Sequence, residues 1–308
     1  MGWGMGRLRE MEVFVAVVEA GSFVGAATDI GASPPAVTRA VASLEDRLGI
    51  RLLTRTTRAL RLTEAGERFV EHARRLLGEI EQAELDTLGE AGTPSGHLTL
   101  TASSTFGRMV LAPIVTAFLA EHPKVTASVR LHDRVVDLLD ENIDVAVRIA
   151  ELPDSSMVAR RVGEVRRLLV ASPDYLKKCG TPESPAQLRE HAVIAFTGLM
   201  PGHEWRYRAE GRMRTMAITP RFEINDALAA LASAEAGEGI TPALSYMISD
   251  AVAAGRLVSV LDDWAPVPVP VHLVHQQGRL VPPKIRAFMD FAAPRLTAVL
   301  GGLVKMSR

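Results

Sequence analysis

Ser33-Pro34-Pro35-Ala36-Val37-Thr38-Arg39-Ala40-Val41-Ala42-Ser43-Leu44-Glu45-Asp46-Arg47-Leu48-Gly49 reads as one helix with both ends marked. Ser33 stands where an N-cap belongs. Pro34 and Pro35 fall in the first turn, where N–H groups have no intrahelical partner to lose. Val37, Val41, Leu44 and Leu48 form the apolar line. At about 100° per residue the opposite face is Pro35, Arg39, Ala42 and Asp46, flanked by Thr38 and Ser43. That outer face is small and donor-bearing near its N-terminus, the character of a helix that enters the major groove of DNA.

Upstream, Leu8, Met11, Val15 and Val18 recur at helical intervals until Ala20-Gly21-Ser22 interrupts them. A short helix from Phe23 to about Ile30 follows, with Phe23, Ala26, Ala27 and Ile30 inward and Gly31 closing it. Two short helices across a tight glycine turn match a helix-turn-helix, although an ordinary bundle shares these periods. The next stretch tells against the bundle. Arg51-Leu52-Leu53 and Leu60-Arg61-Leu62 read as short strands around the basic, hydroxyl-rich Thr54-Arg55-Thr56-Thr57-Arg58, a wing whose side chains reach phosphates or the minor groove. Six arginines against two acids between Ser33 and Leu62 make a local basic surface. The expected DNA contacts are Ser33, Pro34, Pro35, Thr38, Arg39, Ala42, Arg55, Thr56, Thr57 and Arg58.

Thr63 caps a long helix that ends by Gly92-Thr93-Pro94. Phe69, Ala73, Leu76, Ile80, Ala83 and Thr87 form a heptad-like seam along it, with Leu77 and Leu88 beside it. At roughly 25 residues the helix is about 37 Å long, so antiparallel pairing with the same helix of a second subunit is the natural burial.

With 308 residues and 47% hydrophobic content the chain has material for two or three cores. The net charge of −1 averages over these and hides the basic patch. Its short apolar runs fall far below the roughly 20 residues that span a bilayer. Met1 to Glu10 lacks the pattern of an export signal, so a cytoplasmic protein without membrane partners is expected. The single cysteine, Cys179, suits a reducing compartment and cannot form an internal disulfide.

From His97 the pattern turns to α/β: a strand to Ala102, a helix through Leu111 to Ala120, a strand Val125 to Leu131, a helix ending near Asn142, and a strand Val145 to Ile149. Such alternation reads as parallel sheet, with ligands outside the carboxyl ends of its strands. Ser103-Ser104-Thr105 stands at the first such end, before a helix, with hydroxyls and N–H groups facing an incoming anion or merely capping the helix. The chain is expected to cross between two lobes near Leu168 to Ala171 and Val269 to Val274.

Met11-Glu12-Val13-Phe14, Ala20-Gly21-Ser22-Phe23, Ala26-Ala27, the Ser33 to Val41 run, Leu44-Glu45, Arg47-Leu48-Gly49 and Arg55 to Arg58 through Leu62-Thr63-Glu64-Ala65-Gly66 resemble, in order, the N-terminal pattern of LysR-type transcription regulators. The resemblance continues at lower density in Leu111-Ala112-Pro113, His122-Pro123, Asp144 to Arg148, Ala171 to Leu176, Asn225-Asp226 and Pro282-Pro283-Lys284. It implies an all-α winged helix-turn-helix (1–63), a linker and dimerisation helix (64–92), and a two-lobed α/β effector domain similar to type II periplasmic binding proteins (93–308). Lobe I would span 93–168 and 270–308, and lobe II 169–269. The partners implied are promoter DNA, a small and anionic effector, RNA polymerase, and further copies of the chain as homodimer or homotetramer. Effector closure of the lobes would then change promoter binding geometry.

The resemblance places effector contacts at Ser103, Ser104, Thr105, Asp133, Phe196, Thr197, Gly198, Asn225, Asp226, Ile240 and Thr241. Asn142 replaces a common helix-end glycine, and Thr241-Pro242 a more aliphatic pair. No cofactor, metal or catalytic set is expected. His272 and His275 fall three apart on a strand and so on opposite faces, and Gly-x-Ser-x-Gly is absent. A cytoplasmic solute-binding protein without regulatory role is the alternative, and it leaves the basic N-terminal segment unexplained.

Overall fold

A computed structural model of the protein describes residues 5–55, 60–87, 94–134, 136–138, 141–152, 157–276 and 281–305. The chain forms two compact units, one of 1–98 with 122–126 and 282–284, the other of 99–121, 127–281 and 285–308.

The first unit begins with α1 (Met5–Ala20), α2 (Phe23–Asp29) and α3 (Pro34–Leu48), followed by β1 (Leu53–Arg55), β2 (Leu60–Leu62) and α4 (Glu64–Thr87). Ser22 caps α2 by accepting from the Gly25 N–H at 2.9 Å, and α2 turns away from α1 by 116°. Phe14 and Val17 are the deepest residues of α1, both fully buried, rather than the Leu8, Met11, Val15, Val18 line that period alone suggests. The reason is that α2, α3 and α4 all pack on α1, so its apolar surface is wider than one stripe. Val37, Val41 and Leu44 of α3, with Leu52 and Val70, complete this core. Each such side chain contributes about 1.5–3 kcal/mol by leaving water. Phe14 meets Phe69 of α4 edge to face at 5.5 Å.

Antiparallel pairing joins β1 to β2, Leu53 opposite Leu62 and Arg55 opposite Leu60. The first strand starts two residues later than Arg51, because the Glu45 carboxylate takes the backbone N–H groups of Leu52 and Leu53 at 2.7 and 3.0 Å. Thr63 caps α4, accepting from the Gly66 N–H at 3.0 Å. Gly66 itself is required: a Cβ there would lie 2.0 Å from the Leu52 carbonyl oxygen. Phe69, Val70 and Ala73 are spent on the core of this unit, whereas Leu76 and Ile80 remain exposed. The upper half of the expected seam is therefore intramolecular, since the first turns of α4 cover α1 and only later turns run free of it.

The chain enters the second unit along β3 (Gly96–Ala102), which leads into α5 (Ser104–Phe106), a π turn (Gly107–Leu111) and α6 (Ala112–Glu121), a helical stretch that starts seven residues before Leu111. Next come β4 (Val125–Leu131), β5 (Val145–Ile149), β6 (Met157–Val165), β7 (Arg167–Ala171) and α7 (Pro173–Cys179). They are followed by β8 (Ile194–Phe196), β9 (Glu204–Ala209), β10 (Arg212–Ala217), β11 (Phe222–Ile224), α8 (Ala227–Glu235) and β12 (Thr241–Leu244). The chain closes with α9 (Ser245–Ala253), β13 (Val258–Val260), β14 (Val269–Gln276) and α10 (Pro283–Lys305).

Two principal sheets result, one ordered β4-β3-β5-β14-β6 and one ordered β12-β7-β13. The first is mixed rather than wholly parallel: β3 runs parallel to β5, while β14 is antiparallel to both β5 and β6. The alternation that suggests a parallel sheet stops at Ile149, and the returning β14 enters from the opposite direction. Gly163 flanks the bulge on β6 in its pairing with β14, with φ +155°, and a Cβ there would press on Leu300 of α10.

The described residues of 132–144 form turns rather than a helix. Arg130 donates to the Glu141 carbonyl at 2.9 Å and Arg148 to the Val136 carbonyl, so side chains satisfy the backbone there. Asn142 does take a left-handed conformation, φ +51°. The chain passes between the two sheets at 165–167 and returns ahead of Val269, so Leu168–Ala171 and Val269–Val274 are strands of the sheets themselves. Among the described residues no single helix is long and apolar enough to cross a membrane.

Candidate functional site

The N-terminal part of the outer face of α3 is presented to solvent. Ser33 occupies the N-cap but makes no side-chain capping bond. Pro34 and Pro35 have removed the N–H groups it would serve, and Ala36 N–H goes to the Ser33 carbonyl at 2.9 Å. Ser33, Pro34, Pro35 and Arg39 are exposed, with Thr38 and Ala42 half-buried beside them. Arg39 lies back along the helix, its Nε donating to the Pro35 carbonyl at 3.3 Å.

Not every arginine of the basic stretch is available. Arg47 donates from Nε and Nη2 to Glu10 at 3.1 and 2.8 Å, and Ser43 donates to the same carboxylate at 2.6 Å. Burial pushes the Glu10 carboxyl up, but the bonds from Ser43 and Arg47 and the charges of Arg47 and Arg7 outweigh it, leaving it below its usual range. Arg51 pairs with Glu45 at 2.7 Å. Burial likewise raises Glu45, and the N–H groups of Leu53 and Leu52 with Arg51 more than reverse it. These contacts fix α3 to α1 and to the start of the wing. Arg39 and Arg61 remain as exposed cations. The Arg55 side chain, with Thr56, Thr57 and Arg58, lies outside the described residues. Glu10 and Glu45 leave no periodic signal in the sequence.

At the carboxyl end of β3, Ser103, Ser104 and Thr105 are half-buried and begin the helical stretch. The Ser104 N–H is already used, donating to the Asp133 carboxylate at 2.9 Å. Ser103 makes no capping bond with its side chain. Beside it stands Tyr246 of α9, a residue that sequence reading passes over: it is 3% exposed and packs edge to face on Phe106 at 5.1 Å. Its hydroxyl makes no well-formed hydrogen bond. Burial pushes that hydroxyl's pKa far up; the Ser103 hydroxyl acts against the rise and the Asp133 charge with it.

Ser103, Ser104, Asp133 and Tyr246 therefore form one cluster. The other expected contacts are placed differently. Ile240 and Thr241 are fully buried, and the Thr241 hydroxyl donates to the Ile194 carbonyl at 3.0 Å. Asp226 caps α8 through the Ala229 N–H at 2.8 Å, with Asn225 exposed beside it. Phe196 is largely buried, Thr197 N–H donates to the Ile224 carbonyl at 3.0 Å, and Gly198 lies against the Phe196 ring. No group of three or more His, Cys, Asp or Glu placed to hold a metal occurs among the described residues.

Residues 8–67 match the family model described as bacterial regulatory helix-turn-helix protein, lysR family. Residues 91–297 match the LysR substrate binding domain. An HTH-type transcriptional regulator of Xanthomonas campestris pv. campestris is 36% identical over 293 residues, 94% of this chain and 85% of its own. The transcriptional regulator CrgA of Neisseria meningitidis is 32% identical over 93% of this chain and 96% of its own. The solved structure of that LysR-type regulator superposes with TM-score 0.61 at 31% identity, covering 94% of this chain and 98% of the other. The full-length structure of the Vibrio cholerae virulence activator AphB gives 0.58 at 30% identity, with 92% and 98% covered.

Proposed function

Because this chain belongs to the LysR family and is a transcription regulator with a helix-turn-helix and an effector-binding domain, we propose that it reads promoter DNA with α3 and answers a small effector at the Ser103 cluster. The observation that carries the reading is the outer face of α3, whose Ser33 hydroxyl and Arg39 are exposed while Glu10 and Glu45 hold the helix from behind. Pro35, Thr38, Arg39 and Ala42 face the bases. Ser33, Pro34 and the wing residues Arg55, Thr56, Thr57 and Arg58 serve the phosphates, where contacts supply affinity and register.

In this reading 1–63 is the DNA-binding domain, 64–92 the linker helix, and 93–308 the effector domain, with lobe I formed by 93–168 and 270–308 and lobe II by 169–269. Two copies pair through the exposed Leu76 and Ile80 of α4, placing two recognition helices on two half-sites. Tetramer formation and contact with RNA polymerase follow at the promoter. The protein works in the cytoplasm, where promoter DNA lies, and carries out no chemistry of its own. The buried Tyr246 hydroxyl and the Ser103 hydroxyl supply hydrogen bonds to the effector. An effector carboxylate must take the Ser104 N–H from Asp133, so lobe closure is coupled to release of that side chain.

The test is selection of duplex DNA from a random library by the full-length protein at controlled salt. Enrichment of an interrupted inverted repeat, lost on Arg39→Ala while non-specific binding persists, is expected. Absence of enrichment at every salt concentration would overturn the reading.

A further inference from the structure

A cavity lies away from the Ser103 cluster and shares none of its residues. It is a cleft of about 480 Å³, open to solvent, where the chain passes between the two principal sheets: Arg167 lines it from the outward passage and Pro266–Pro270 from the return. The end of β5 (Ile149, Ala150, Glu151) and the β9–β10 hairpin complete the wall.

Its charge is unresolved by the protein itself. The Arg167 guanidinium is partly buried, and its Nε has no hydrogen-bond partner. Burial and the facing charge of Arg206 both pull the Arg167 pKa below its usual value. Arg214 spends its charge on Glu210 at 2.6 Å, outside the cavity. Glu151 is the one acid in the wall, and among the described residues it pairs with neither Arg167 nor Arg206. Two cations facing each other, one with a buried orphan donor, cost free energy that an anion between them would recover through charge-assisted, two-pronged hydrogen bonds. The lining also includes the apolar side chains of Ile149, Pro266 and Val267. The size lies within the range of cavities that hold small molecules.

We propose that this cavity is a second ligand site, which takes a small organic carboxylate with its charge across Arg167 and Arg206 and its apolar body against Ile149 and Val267. Both passages between the sheets line the site, so a ligand there binds one arrangement of the two sheets better than another and biases the equilibrium between them. The protein thus has two inputs, one at the Ser103 cluster and one at the passages.

Benzoate is the probe, with benzamide as its uncharged counterpart and chloride as a plain anion, read on the full-length protein by thermal shift and by hydrogen exchange in β9 and β10. Benzoate should raise the melting temperature in a saturable way and slow exchange in the hairpin, and benzamide should not. Arg206→Ala should weaken benzoate about tenfold or more, and should raise the melting temperature of the unliganded protein by removing the repulsion on Arg167. Ser103→Ala should leave the benzoate response intact, which separates failure of this site from failure of the one beside Tyr246. The inference is overturned if saturating benzoate changes neither reading, if chloride matches it at equal concentration, or if Arg206→Ala leaves the response unchanged. It is equally overturned if the hairpin is protected only as protein concentration rises, since an acidic side chain of a second copy would then be the occupant.

Discussion

Glu45→Ala tests the reasoning about the recognition helix most directly. The carboxylate accepts the N–H groups of Leu52 and Leu53 at 2.7 and 3.0 Å, and those residues are only 1% and 7% exposed. Alanine leaves two buried donors without an acceptor, at about 1–3 kcal/mol each, so a loss near 4 kcal/mol is expected in the first unit. Glutamine keeps an oxygen for both donors and loses only charge assistance and the exposed Arg51 contact, a cost of about 1 kcal/mol on the backbone bonds. Hydrogen exchange of the core amides of Val13, Phe14 and Val17 in the full chain reads the difference. Opening should rise several hundredfold in the alanine variant and less than about tenfold in the glutamine variant.

The same site carries a pH dependence. The folded carboxyl lies below its usual 4.5, so its stabilisation is fully present above that value and is lost as pH falls through the lower folded value. Wild-type opening should therefore climb below pH 4.5 more steeply than that of Glu45→Gln. Equal effects of alanine and glutamine, or a neutral alanine, would refute the account.

Gly66→Ala should destabilise the first unit by ~2 kcal/mol or more in the same exchange measurement, because the added methyl would sit 2.0 Å from the Leu52 carbonyl oxygen and backbone must move. Replacing Leu76 and Ile80 together by glutamate should shift the sedimentation equilibrium toward smaller species while leaving core exchange near Phe14 unchanged, since both side chains are 38% exposed. Tyr246→Phe should keep or raise the melting temperature, because it deletes a buried hydroxyl that makes no well-formed hydrogen bond. The same variant should weaken the effector's influence on operator binding, measured by anisotropy of labelled DNA.

Much of the first unit is local physics and so stands in the sequence. Ser33 with Pro34 and Pro35 marks the start of α3, Gly49 closes it in the left-handed conformation, and Thr63 caps α4. Caps, prolines and glycines act within a turn of themselves, and period-3.6 burial needs only one neighbour on one side. The boundaries of β4 and β5, Val125–Leu131 and Val145–Ile149, are equally legible, because valine, isoleucine, leucine or alanine recurs at every second position of each.

Tertiary structure decided what depends on partners distant in the chain. Arg47 looks like part of a DNA-facing basic stretch until Glu10, 37 residues earlier, takes its charge. Leu52 belongs to a strand by composition, yet Glu45 withdraws its N–H from the ladder. Phe69 and Ala73 fit a dimer seam by spacing, but α1 offers them a nearer apolar surface. Tyr246 meets Ser103 across more than a hundred residues, and Arg167 meets Arg206 only because the β9–β10 hairpin folds over the passage between the sheets. Periodicity records which face of an element is apolar; which charge or hydroxyl lies opposite is fixed by the packing of elements, and with it the chemistry of both side-chain clusters.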